Sequence, residues 1–270
     1  MSFVKNQVGA LEYLTAEALR GDIVHCFSTR YGGVSRGELF SLNLGVHRGD
    51  EKENVVENYR ILGQAVGFCP EQTVFTRQLH GTIVAQVGKS DCGNGLFREV
   101  TDERDGLMTN EPGVALVVFS ADCTPILLHD PVTGAIAAVH SGWRGTAQGI
   151  VCKAVEAMRQ AYGTEPSDVQ AAIGPCIGQC CFETDADVPQ AMLQAVGADA
   201  EAFILPTGAK FHVDLKGINR LWLQRVGVRQ IDVSEDCTCC QPDRFWSHRK
   251  VGNRRGSLAA VIMRKEGAGQ

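Results

Sequence analysis

Three short stretches of this 270-residue chain carry side chains able to bind a metal or attack a substrate: Gln78-Leu79-His80-Gly81, Ala121-Asp122-Cys123-Thr124-Pro125 and Ala138-Val139-His140-Ser141-Gly142. Each puts one imidazole or thiol at a strand end or tight break. Strand ends are where a rigid scaffold can aim side chains into one pocket. Two chemistries suit these residue types. Histidine and cysteine are zinc ligands, and a catalytic zinc typically takes three protein ligands and keeps a fourth position open. Alternatively, Cys123 with His80 or His140 makes a thiolate–imidazole nucleophile pair. The two readings exclude each other, because coordination converts the thiolate from nucleophile to ligand. The spacing lacks the compact pairing of a zinc finger, and a cysteine after an apolar strand or a satisfied buried histidine would look the same.

The elements around these residues follow from hydrophobic pattern. Residues 114–120 form a continuous apolar strand, broken at 121–125 and resumed at 126–129; a turn over 130–134 returns the chain as a strand over 135–139. Cys123 sits at the first break and His140 at the far end. Strands are expected over 23–28, 73–78, 82–87, 169–173, 211–215, 230–233 and 257–263. Helices are expected over 51–66, 146–162, 187–196 and 216–226, where apolar residues recur at three- and four-residue spacing. Strands come in runs as well as alternating with helices. The fold class is therefore α+β, mixed sheets packed with helices on the outside in αββα-like layers. No repeat, linker or domain boundary stands out, so residues 1–270 are read as a single catalytic domain.

Composition narrows the function classes. With 44% hydrophobic and 21% charged residues the chain has the balance of a soluble globular protein. A net charge of −5 argues against a general nucleic-acid binder, while leaving room for a local basic pocket. No apolar run reaches the roughly 18 residues of a membrane helix, and the first residues do not resemble a signal peptide. Eleven cysteines without an export signal point to free thiols in a reducing compartment, hence to the cytoplasm. The oligomeric state is not legible.

Seven motifs occur in order: Thr29-Arg30-Tyr31-Gly32-Gly33-Val34-Ser35, Ser41-Leu42-Asn43-Leu44-Gly45, the histidine and cysteine motifs above, His140-Ser141-Gly142-Trp143-Arg144-Gly145, Gly174-Pro175-Cys176-Ile177 and Phe245-Trp246-Ser247-His248-Arg249. The set resembles the YfiH family, also called the laccase-domain or multicopper polyphenol oxidase-like family, over roughly residues 20–265. Members are described as purine nucleoside phosphorylases. The resemblance implies a zinc ion held by His80, Cys123 and His140. It also implies phosphate-dependent cleavage of adenosine, inosine, guanosine and 5′-methylthioadenosine, with deamination of adenosine as a side activity.

Phosphorolysis needs an anion site, and arginine presents a planar fork that matches phosphate. Arg30 and Arg144 are the candidates, with Ser28 and Ser141 as hydroxyl donors and Asn43 for a purine edge or ribose hydroxyl. His47 is a candidate for the pocket rim. The rivals are copper-dependent phenol oxidation, with Cu2+ at the same site, and hydrolytic editing of a peptidoglycan precursor. Seven histidines and no His-x-His pair fit poorly with the imidazole-rich sites a multicopper oxidase needs. The clusters Cys176, Cys180, Cys181 and Cys237, Cys239, Cys240 are expected to be reduced thiols packed as small hydrophobes, since Cys-x-Cys-Cys does not read as a zinc knuckle.

Overall fold

The apolar runs at the centre of the sequence become strands buried on both faces, and this sets the layering of the molecule. In the computed structural model, which describes residues 3–266, strands β1 (Phe3–Val8), β2 (Leu11–Ala16) and β3 (Ile23–Ser28) precede helix α1 (Lys52–Val66). Six strands follow: β4 (Thr73–Phe75), β5 (Val84–Gln86), β6 (Gly106–Thr109), β7 (Ala115–Ser120), β8 (Thr124–His129) and β9 (Ile136–Ser141). Then come α2 (Trp143–Ala147), α3 (Ile150–Tyr162), β10 (Gln170–Ile173), β11 (Glu183–Thr184), α4 (Asp187–Val196), β12 (Ile204–Thr207) and β13 (Lys210–Val213). The chain ends through α5 (Leu215–Arg225), β14 (Gln230–Val233), α6 (His248–Val251) and β15 (Leu258–Arg264).

Two six-stranded mixed sheets result, ordered β1-β2-β3-β15-β7-β4 and β14-β10-β8-β9-β6-β5, with a small third sheet β11-β13-β12. Side chains alternate across each strand. Leu116 and Val118 of β7 therefore meet Leu127 of β8 and Ala138 of β9 in a core between the sheets. Ala115 and Val117 turn the other way, onto Val55, Tyr59 and Leu62 of α1. On the far face of the second sheet, Ile126, Leu128 and Val139 pack on Ile150, Ala154 and Met158 of α3. The order helix, sheet, sheet, helix is the expected layering, and covering both faces is why these strands read as unbroken apolar runs.

Differences from the expected elements have local causes. The helix expected over 146–162 is two helices, because the chain already turns at Gly142, whose carbonyl accepts from Thr146 N at 2.8 Å, and bends at Gly149 with φ of 65°. The strand expected over 73–78 stops at Phe75. Beyond it the Gln78 side chain stands in for backbone: its amide donates to Phe119 O at 2.9 Å and its carbonyl accepts from Phe119 N at 2.7 Å. Strands β1, β2 and β6 carry no signal that separates them from loop; β1 is an edge strand with no fully buried position.

The site is prepared by the step from β7 to β8. β7 belongs to the first sheet and β8 to the second, so Ala121-Asp122-Cys123 carries the chain from one to the other. That change of layer needs a sharp turn, made at Asp122 with φ of 96°.

Leu127 is wholly buried between the sheets. Leu127→Ala should destabilise the fold by about 2–5 kcal/mol, the usual cost of truncating a core leucine, which denaturant unfolding with unchanged slope would measure.

Candidate functional site

His80, Cys123 and His140 come together where the two sheets meet, with their ligand atoms all within 4.8 Å of one another. Cys123 Sγ lies 3.6 Å from His80 Nε2, and the two imidazoles meet edge to face with centroids 5.0 Å apart. A tetrahedral zinc with bonds of roughly 2.3 Å to sulfur and 2.0–2.1 Å to nitrogen separates those two atoms by about 3.6 Å. The trio can thus hold one metal ion in a three-ligand site. His80 is exposed and His140 buried, so the open side of the trio faces the surface. His80 adopts φ of 62°, and Gly142 passes so close that a Cβ there would lie 2.5 Å from His80 Cδ2 and 3.4 Å from Cys123 Sγ.

Asp105 organises the trio. Its buried carboxylate accepts the amides of Leu79 (3.1 Å), His80 (3.0 Å) and Gly81 (2.8 Å), closing the turn that presents His80. The same carboxylate lies 2.8 Å from His140 Nδ1, and Asp105 O accepts the His140 amide at 2.7 Å. Holding the proton on Nδ1 leaves Nε2 free as a ligand, the carboxylate–histidine arrangement that orients metal sites. Burial works against ionising Asp105, but the His140 imidazole and the amide donors outweigh it and hold its carboxyl below the usual range. Without a metal, burial would raise the Cys123 thiol; the charge and hydrogen bonds of His140 and His80 bring it down to about 6. Burial likewise opposes protonation of His140, yet Cys123 and Asp105 push it up to about 9. An acidic residue 25 positions from His80 and 35 from His140 has no spacing signal, so sequence reasoning missed it.

A cleft of about 530 Å³ opens over the trio, lined by His47, Arg48, Arg77, Leu79, Phe119 and Arg255 among others. Arg255 donates through Nη1 to Gly256 O at 2.9 Å, while its buried Nε has no partner. Burial, then the neighbouring charge of Arg48, lowers its pKa to about 10. Two guanidinium groups at one wall give that side of the cleft the chemistry to attract an anion.

The substrate residues expected from sequence lie elsewhere. Arg30 stacks 3.8 Å over the Trp246 ring and donates to Pro242 O and Phe40 O, each at 2.8 Å, so its fork ties loops together. Arg144 is exposed on α2, 4.3 Å over the Trp143 ring, in a separate shallow depression. The buried Ser28 hydroxyl accepts from Ala259 N, and that of Ser141 bonds Thr146 and Asn219. Asn43 is fully buried and accepts from Gly45 N and Ser257 N, thereby shaping two lining residues of the cleft without facing it. A motif's glycines and polar residues mark the tight turns that shape a cleft as readily as its contacts. His47, expected at the rim, does line it.

The two cysteine clusters also meet: Cys180, Cys181, Cys237 and Cys240 bring their sulfurs within 4.8 Å of one another. The two sequence clusters, expected as packed reduced thiols, thus contribute to a single group of four free thiols in space. Cys176 and Cys239 are left out, and Cys237 and Cys240 stand in Cys-x-x-Cys spacing.

The family model described as multi-copper polyphenol oxidoreductase laccase matches residues 24–265. A protein of Geobacillus stearothermophilus, purine nucleoside phosphorylase YlmD, is 39% identical over 88% of this chain and 89% of its own length. Purine nucleoside phosphorylase YfiH of Escherichia coli is 34% identical over 89% and 93%. The crystal structure of YlmD from G. stearothermophilus superposes with a TM-score of 0.90 at 36% identity, covering 98% of this chain and all of that one. That of the Bacillus licheniformis hypothetical protein YfiH gives 0.91 at 30% identity over 97% and 99%.

Two outcomes follow from this geometry. Asp105→Asn, which keeps shape but loses charge, should weaken metal binding about ten- to a hundredfold, and Gly142→Ala should weaken it too by displacing His80; competition with a chromogenic chelator measures both. In chelator-stripped protein, alkylation of Cys123 should switch on as pH rises through about 6 rather than 9.0, because only the thiolate reacts, and bound metal should suppress it; peptide mapping against pH reads this.

Proposed function

The chain belongs to the family described as multi-copper polyphenol oxidoreductase laccase, and from that premise we propose that it is a zinc-dependent purine nucleoside phosphorylase. The observation that carries the reading is that arginines and the His80–Cys123–His140 trio line one cleft. The names of its relatives support the same reaction class. The substrates are adenosine, inosine, guanosine and 5′-methylthioadenosine. Phosphate breaks the N-glycosidic bond, releasing the free base and ribose 1-phosphate or its methylthio analogue.

Arg48 and Arg255 would take the phosphate dianion, replacing the missing partner of Arg255 Nε and offsetting the repulsion between the two guanidinium groups. Holding that nucleophile against the sugar is a positioning task, and positioning alone is worth several orders of magnitude in rate. Val46, Leu79 and Phe119 offer apolar wall for a purine face. His80, Cys123 and His140 would hold the zinc ion, which when bound would supply Lewis acidity to the cleft. Deamination of adenosine to inosine, the proposed second activity, consumes water instead of phosphate. It should need the three ligands without needing the arginines.

The oxidase name of the family fits less well. Among the described residues, the groups of three or more candidate ligands are this trio and the four cysteines; two histidines and a cysteine could take a single copper, but neither group supplies the additional all-histidine cluster of a multicopper centre. No helix of the described residues is long and apolar enough to cross a membrane. Eleven unpaired cysteines suit a reducing interior, and we assign the enzyme to the cytoplasm.

The test is to incubate purified, metal-analysed protein with inosine, with and without phosphate, and to separate the products. Hypoxanthine and ribose 1-phosphate should form only with phosphate. Free ribose in both reactions would make it a hydrolase, and fast phenol oxidation by protein carrying several coppers would restore the oxidase reading. Arg48→Ala should cut phosphorolysis roughly a hundredfold or more, the effect of losing a charged contact to a bound anion, while sparing adenosine deamination. Arg144→Ala should leave both unchanged.

A further inference from the structure

The four clustered cysteines lie on two loops that leave the same end of neighbouring strands. β10 and β14 run parallel, paired from Gln170 with Gln230 to Ile173 with Val233, and a further bridge joins Cys176 to Cys237. From that bridge onward one loop carries Cys180 and Cys181, and the other carries the bridge residue Cys237 and then Cys240. Sγ of Cys240 lies 3.5 Å from that of Cys180 and 3.3 Å from that of Cys181. All four are free thiols. A disulfide would bring two sulfurs to about 2.05 Å, whereas the edge of a tetrahedron of sulfurs around zinc is about 3.8 Å. The spacing is that of ligands around a single ion.

The backbone around the cluster is arranged for thiolate. The amides of Gly178 and Cys240 both point at Cys237 Sγ, the first at 3.2 Å. Gly178 also permits the close approach, since a Cβ there would lie 3.2 Å from Cys237 Cβ and 3.3 Å from Cys180 Sγ. Arg249 donates to the carbonyls of Cys181 and Glu183, each at 3.0 Å, bringing a positive charge to the loop. The sulfur set is soft, and a closed tetrahedral set of four thiolates is a structural zinc site.

We propose that Cys180, Cys181, Cys237 and Cys240 bind a second zinc ion, a structural one, that joins the loops following β10 and β14. These loops hold the residue next to Cys123. Asp122 accepts from Thr238 Oγ1 and from Arg249 N, each at 2.6 Å, and its carbonyl accepts from Ile177 N at 3.0 Å. The second ion therefore braces the turn that presents Cys123, from outside the cleft and without touching substrate.

The experiment is metal counting with native mass spectrometry on protein purified under reductant. Wild type should carry two zinc ions per chain. Cys240→Ser should carry one and still bind metal at His80, Cys123 and His140. Cys123→Ala should lose the other ion, and Cys239→Ser should keep both. If Cys240→Ser does not fold, cobalt substitution of the wild type and of Cys123→Ala decides instead: strong thiolate-to-cobalt charge-transfer absorption should persist in Cys123→Ala. A single zinc in the wild type that stays single on adding Zn2+ under reductant would overturn the proposal. So would a Cys180–Cys240 or Cys181–Cys240 disulfide in the peptide map of protein kept reduced. Iron in place of zinc would overturn the identity of the ion.

Discussion

One buried negative charge holds the candidate site together. The Asp105 carboxylate gathers three successive amides of the 79–81 turn and the imidazole of His140. Segments far apart in the chain thus acquire one relative orientation. A carboxylate buried without such donors would be strongly disfavoured; with four it is satisfied, and its charge fixes which imidazole nitrogen is free. The left-handed backbone of His80, uncommon for a residue with a side chain, is held by the same hydrogen bonds. Cys123 depends on a parallel device, since Asp122, also at positive φ, is anchored by Thr238, Arg249 and Ile177. Two aspartates, each accepting from backbone and side chain, aim the candidate ligands.

The sheets explain why the site lies where it does. Cys123 belongs to the connection that passes from one sheet to the other, His140 comes from a strand of the second sheet, and Phe119 comes from a strand of the first. At such a seam strand ends from both layers converge, and the cleft is the gap left between them. The helices contribute from outside: α1 supports β7 and α3 supports β9.

Much of this was legible in the residues. The apolar runs of β7 to β9 and the periodicities of α1 and α4 give their elements to within a residue or two, because burial on two faces or on one stripe leaves a strong pattern. β1, mostly solvent-facing, leaves none. Motif order pointed to His80, Cys123 and His140. It could not separate residues that face the cleft from residues that shape it. Arg30 and Asn43 sit in glycine-rich turns for the sake of the turns, whereas Arg255 faces the cleft from an undistinguished stretch before β15. Asp105 was invisible, and the two cysteine clusters were visible without their meeting, for the same reason: both arise from contacts between distant segments, Cys180 and Cys240 meeting across 60 positions.

The position of β15 bears on how the molecule is made. Leu258–Arg264 forms the strand between β3 and β7, with antiparallel partners on both sides. Until β15 is made, β3 and β7 lack their shared neighbour at one edge, so β1-β2-β3 and β7-β4 can be joined into one sheet only at the end. Exposed edges of this kind are where nascent chains pair wrongly. The second sheet waits less, since its last strand, β14, adds only to an outer edge. Closure across more than two hundred residues is slow by topology, and pairing of β3 with β15 is the contact of highest sequence separation that the first sheet must make.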